Sequence, residues 1–116
     1  MALEMFFLEL KKRYKKEDSF KYAFWGVSSV ADKLYDYIQV EYPNAVLVKV
    51  IDTFRKIEYK GCDTELPDVL NKHDDFITIV TTINCAASAK PFFDGIGKKQ
   101  EEYICVANEM MEERPK

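Results

Sequence analysis

Residues 20–31 read Phe20-Lys21-Tyr22-Ala23-Phe24-Trp25-Gly26-Val27-Ser28-Ser29-Val30-Ala31. An aromatic-rich run meets a glycine, and two serines follow. Aromatic side chains suit a pleated, half-buried surface, so residues 20–25 are expected to form a strand. Gly26 stops it, because glycine enters turn conformations closed to other residues. Val27, Val30, Ala31, Leu34 and Ile38 then fall on one stripe at helical spacing. Ser28 or Ser29 suits the N-cap of that helix, where a hydroxyl accepts an unpaired backbone N–H. Pro43-Asn44 closes it. The unit is strand, tight turn, helix.

Outward from it the alternation continues. Residues 45–51 (Ala-Val-Leu-Val-Lys-Val-Ile) form a nearly unbroken apolar run, as expected of a parallel strand covered on both faces. Residues 53–65 carry Lys60-Gly61 without strong periodicity and read as a loop. Residues 66–72 suit a short helix with Leu66, Val69 and Leu70 inward. Residues 76–81 read as a third strand, 85–96 as a helix that Pro91 kinks or delays, and 103–107 as a fourth strand. A short polar tail, 108–116, ends the chain. Before all of these, Leu3, Phe6, Phe7, Leu10 and Tyr14 step by three and four along residues 3–16. They mark an N-terminal helix within residues 1–18. Its apolar face either meets a second copy or a partner domain through Phe6, Phe7 and Leu10, or packs on the domain's own sheet. The expectation is one α/β domain over residues 1–116, with a β-α-β-α-β-α-β core at 20–107. That core is a mainly parallel four-stranded sheet in three layers, with an extra N-terminal helix.

Composition bounds the function. With 116 residues, 47% apolar and 32% charged, the chain suits one globular domain. The net charge of −3 argues against a dedicated nucleic-acid binder. The basic run Lys11–Lys16 reads as a solvated helix face, because Glu17 and Asp18 follow at once. Cys62, Cys85 and Cys105 show no metal-site spacing, and Cys105 sits in an apolar run. Cys62, next to Gly61, is expected in an exposed loop with no histidine to activate it. No signal peptide or membrane span is visible, so the cytoplasm is the expected compartment. The single histidine, His73, lies beside Lys72 and Asp74 and reads as a surface residue. No Walker loop, HExxH or Ser-His-Asp order is present, so no catalytic residue is assigned.

In parallel α/β sheets, ligands bind at the carboxyl ends of the strands. That rule selects three places. At the first turn, Gly26-x-Ser28-x-x-Ala31 stands where a Gly-x-Gly-x-x-Gly/Ala fingerprint would lie. Serine replaces the central glycine that lets backbone approach a pyrophosphate, but Ser28, Ser29 and the helix N-terminus still offer donors. The plain alternative is an unliganded turn. Asp52 ends the second strand and would bond a ribose hydroxyl, or else cap the next loop. Thr81 and Asn84 end the third strand and would line the same crevice, unless Asn84 or Thr82 only caps the helix.

Four stretches carry a wider resemblance. They are Tyr22-Ala23-Phe24-Trp25-Gly26-Val27-Ser28-Ser29; Val48-Lys49-Val50-Ile51-Asp52; Tyr59-Lys60-Gly61-Cys62 leading to Leu66-Pro67-Asp68-Val69-Leu70; and Asp75-Phe76-Ile77-Thr78-Ile79-Val80. From Phe20 onward the chain resembles the nucleotide-sugar-binding Rossmann-like domains of bacterial polysaccharide-biosynthesis proteins. Examples are the N-terminal domains of sugar acetyltransferases of the bacillosamine and sialic-acid type. The resemblance implies a Rossmann-like fold, Gly26 and Ser28 near phosphates, and Asp52 near the ribose or base. It departs at the turn, which carries more glycine in those domains. It implies nucleotide-sugar binding rather than a complete enzyme; the cofactor itself stays open between a nucleotide-sugar and NAD(P). The competing expectation is a degenerate domain of the same fold that serves as an interaction or structural unit, with no small-molecule ligand. A small NAD(P)- or S-adenosylmethionine-dependent enzyme ranks behind both.

Overall fold

A computed structural model of the protein describes residues 2–99 and 102–106. The elements run α1 (Ala2–Arg13), β1 (Lys21–Trp25), α2 (Ser29–Glu41), β2 (Val46–Ile51), β3 (Glu58–Tyr59), β4 (Cys62–Glu65), a 3₁₀ turn (Pro67–Val69), β5 (Ile77–Val80), α3 (Ile83–Ile96) and β6 (Tyr103–Cys105). The strands form one sheet in the order β3-β4-β2-β1-β5-β6. Every neighbouring pair is parallel except β3–β4. The tail expected at 108–116 lies outside the described residues.

The architecture is α/β, with six strands rather than four. The expected loop at 53–65 is the place of correction. Lys60 (φ 52°) and Gly61 (φ 86°) make a two-residue turn with both residues left-handed. This turn matches the twist of a tight hairpin. It joins β3 to β4, and β4 then pairs in parallel with β2 through Val50–Thr64 and Ile51–Glu65. The charged residues Glu58, Asp63 and Glu65 hid these strands. On this short edge hairpin backbone pairing holds the strands while Glu58 and Asp63 stay exposed and Tyr59 turns into the core. The helix expected at 66–72 is only the 3₁₀ turn. Leu70 is buried, Val69 half-buried, and Leu66 points out at 53% exposure. The last helix runs without a break across Pro91 and starts before residue 85.

Strand alternation splits the core into two layers. On one face, Phe6, Leu10, Tyr22, Phe24, Ala31, Leu34, Ile38, Val50, Ile77, Ile79 and Ile104 form a cluster under α1 and α2. On the other, Trp25, Ile51, Val80 and Cys105 meet Ala86, Ala89 and Phe93 of α3. Trp25 packs edge-to-face on Phe92 and Phe93. The apolar face of α1 serves its own domain. Phe6 and Leu10 are fully buried, and Phe7 stacks on Tyr37 at 3.8 Å. Phe6 and Leu10 are therefore not available as the expected partner surface, and Phe7 is half-buried within the domain. Lys11, Lys12, Lys15 and Lys16 are exposed, and Arg13 pairs with Glu9 at 2.9 Å, so the basic run is a solvated face.

Thr78 is fully buried on β5, and its hydroxyl finds no hydrogen-bond partner among the described residues. A buried unpaired hydroxyl costs about 1–3 kcal/mol. Thr78→Val keeps the shape and removes the group. It is expected to raise stability by about 1 kcal/mol in urea unfolding; a loss of stability would show that the hydroxyl is paired in solution.

Candidate ligand site at the reversal of the sheet

From β1 the chain steps to β2 and then β4 on one side, whereas β5 and β6 lie on the other. The order reverses between β1 and β5, and the crevice at their carboxyl ends is where such sheets take ligands. Gly26 stands there at φ +112°, and its N–H donates to Ile51 O at 2.8 Å. A Cβ on Gly26 would lie 2.6 Å from Thr81 Oγ1 and 2.9 Å from Cys85 Sγ. Both backbone angle and space therefore require glycine. Thr81 is fully buried, with its hydroxyl 2.8 Å from Gly26 O and 3.2 Å from Trp25 O. It clips the end of β5 to the end of β1.

Ser28 is the N-cap of α2, extended at φ −161°, and its Oγ accepts Ala31 N–H at 3.2 Å. Asp32 in the first turn complements the helix dipole and accepts the Tyr59 hydroxyl. That bond pins the β3–β4 hairpin to α2. Burial, reinforced by the bond and charge of Asp32, pushes the Tyr59 phenol well above its ordinary pKa.

The half-buried Asp52 does two jobs. Its Oδ2 accepts Val27 N–H at 3.2 Å, and its Oδ1 accepts Phe54 N–H and Arg55 N–H at 2.9 Å each. The loop-capping role is thus present, and the same carboxylate reaches the β1–α2 turn. Ser29 and Asn84 stand exposed in the first turns of α2 and α3. The cap of α3 is Thr82, whose Oγ1 accepts Cys85 N–H at 3.1 Å, not Asn84. The structure therefore gathers Gly26, Ser28, Asp52 and Thr81 around one turn, with Ser29 and Asn84 on exposed helix turns.

One residue of this group escaped the sequence reading. Cys85 lies against Gly26 because it sits three positions after the Thr82 cap, in the turn that faces the crevice. Burial raises its thiol pKa; a bond with Thr82 partly offsets this, and the Asp52 charge adds to it. The thiol stays protonated at neutral pH and is a wall, not a nucleophile. Cys62 is half-buried rather than exposed, with Sγ 3.7 Å from Leu47 O, and burial raises its pKa too.

Beside Asp52 opens a cleft of about 390 Å³, lined by Thr53, Arg55, Lys56, Ile57, Glu58, Asp63, Thr64, Glu65 and Leu66. Phe54 is 95% exposed in the loop that borders it. No family model matches the chain, and no curated protein does. A larger cleft of about 580 Å³ lies at the opposite, amino end of β1 and β5, and includes His73. Two acids of its lining are ion-paired: Asp75 with Lys21 at 2.9 Å, and Asp74 with Lys98, outside the lining, at 3.4 Å. Among the described residues, no helix is long and apolar enough to cross a membrane.

Proposed function

We propose that the chain is a Rossmann-like domain that binds a nucleotide or nucleotide-sugar, working in the cytoplasm in bacterial surface-polysaccharide biosynthesis. One observation carries the reading: the strand order reverses at β1, where the Gly26 turn opens α2 beside Asp52, the acid that directly follows β2. Leaving out the antiparallel β3, the parallel strands run third-second-first-fourth-fifth. That is the order of dinucleotide-binding sheets, which take pyrophosphate at the first βα turn. In this reading the phosphates meet the Val27 amide and the first N–H groups of α2, around Ser28 and Ser29. Asp52 approaches the ribose, and the cleft beyond it receives the base. Thr81 holds the turn in shape and Asn84 forms the rim. The role is binding; no residue here is assigned to bond making or breaking.

A second reading, an interaction or structural domain with no small-molecule ligand, draws support from a different observation. The side chains of Ser28, Asp52 and Thr81 are all already bonded within the domain. A thermal-shift series with UDP-sugars, NAD, NADP and S-adenosylmethionine separates the two. A ligand at 100 times its Kd stabilises the fold by about 2.7 kcal/mol, a rise of several degrees. Ser29→Glu keeps a helix-compatible charge at the exposed start of α2 but repels phosphate. It is expected to abolish the rise without lowering the unliganded Tm. No rise with any of these compounds favours the second reading.

A further inference from the structure

We infer that the Asp52 carboxylate is an internal competitor for the ligand's anionic group, a latch that must leave the β1–α2 turn before that turn accepts a phosphate. The inference rests on the nucleotide reading and deepens it. Oδ2 of Asp52 takes the N–H of Val27 at 3.2 Å, in the middle of the Gly26-x-Ser28 turn. An incoming phosphate oxygen needs the same amide, and two anions in contact over one N–H repel each other. The other oxygen, Oδ1, holds the amides of Phe54 and Arg55 at 2.9 Å each. One side chain thus ties the turn to the loop that borders the cleft. That loop presents Phe54 at 95% exposure and Ile57 at 43%, with Arg55 and Lys56 between them. Displacing Asp52 from Val27 loosens this loop at the moment a ligand arrives. The two cations beside it then face the new negative charge.

If Asp52 merely bonded a ribose hydroxyl, removing its charge would leave phosphate binding unchanged. The latch predicts the opposite sign. Inorganic pyrophosphate, which has no ribose, is the probe. It is titrated calorimetrically into the wild-type chain, Asp52→Asn, Asp52→Ser and Asp36→Asn at fixed ionic strength. Asp36 is an exposed acid on α2, so its variant controls for net charge alone. Asn at position 52 keeps an acceptor for the Phe54 and Arg55 amides, and Ser covers the case in which Asn does not fold. The expected result is pyrophosphate binding about tenfold or more tighter in the position-52 variants than in wild type, a change of ~1.4 kcal/mol or more. Asp36→Asn should match wild type, and the Val27 amide resonance should shift on addition. Equal or weaker binding in the position-52 variants, an equal gain in Asp36→Asn, or no binding to any of the four overturns the latch. The nucleotide reading is judged separately, by UDP-sugars and NAD on the wild-type chain. Binding there without a gain at position 52 retires the latch alone. A gain at position 52 with no nucleotide binding retires the nucleotide reading alone.

Discussion

Gly26→Ala should lower stability by about 4 kcal/mol, the sum of backbone strain and a forced contact. At φ +112° an L side chain is strained whatever surrounds it, at a cost of roughly 1–3 kcal/mol. The new methyl also has no room: Thr81 Oγ1 stands 2.6 Å from its position and Cys85 Sγ 2.9 Å. The hydroxyl cannot retreat freely, because it is fully buried and bonded to the carbonyls of Trp25 and Gly26. Overpacking of this kind adds roughly 1–3 kcal/mol. For a chain of this size the fall in Tm is about 15 °C. Urea unfolding checks the number, and a loss below about 1 kcal/mol would mean that β5 does not approach the turn as described. Pairing the substitution with Cys85→Ala separates the two causes. It should recover part of the contact cost and none of the strain, a coupling that a double-mutant cycle reads directly. Gly26 is therefore a poor position for testing ligand binding, since its variants disturb the frame as well as the site.

Lys98→Ala should cost about 3–5 kcal/mol, although Lys98 lies far from the switch of the sheet. Its side chain is 1% exposed, its ammonium is 3.4 Å from Asp74 Oδ2, and that carboxylate is itself only 9% exposed. Asp74 also accepts the N–H of Asn71 at 2.8 Å. The pair thus fastens the segment before β5 to the end of α3, where Gly97 caps the helix at φ 81°. Removing the cation leaves a buried carboxylate with one remaining partner, and an uncompensated buried charge is among the costliest single defects. Lys98→Met with Asp74→Asn removes both charges and keeps most of the volume, so it should lose much less than Lys98→Ala. If Lys98→Ala costs under 1 kcal/mol, water reaches the pair and the burial is not real.

Much of the frame could be read in the chain because the relevant signals are local. The aromatic run before Gly26, the apolar run ending at Asp52 and the Ser28 cap each carry their own periodicity or capping chemistry. The β3–β4 hairpin did not announce itself, since its residues are charged and its stability comes from backbone pairing to β2. The site was legible in position but not in wiring. Asp52 could be placed at a strand end, yet its three amide partners depend on how the next loop folds back. Thr81 was expected to face a ligand, and only the approach of β5 to β1 shows that it bonds backbone carbonyls. Cys85 carried no motif at all; it matters because a helix cap three residues earlier aims it at Gly26. The role of α1 was open for a similar reason, because its buried face is covered by strands distant in sequence.

That last arrangement has a consequence for the chain during synthesis. Phe6 and Leu10 share a cluster with Ile77, Ile79 and Ile104. α1 leaves the ribosome ahead of every strand of its seat, and the last of them, β6, emerges about 90 residues later, roughly 5–20 s at ordinary translation rates. Through that interval the helix holds an apolar stripe of Phe6, Phe7 and Leu10 with only part of its binding surface made. The nascent chain is thus most exposed to misassociation in the interval between α1 and β6, and relief is complete only with β6.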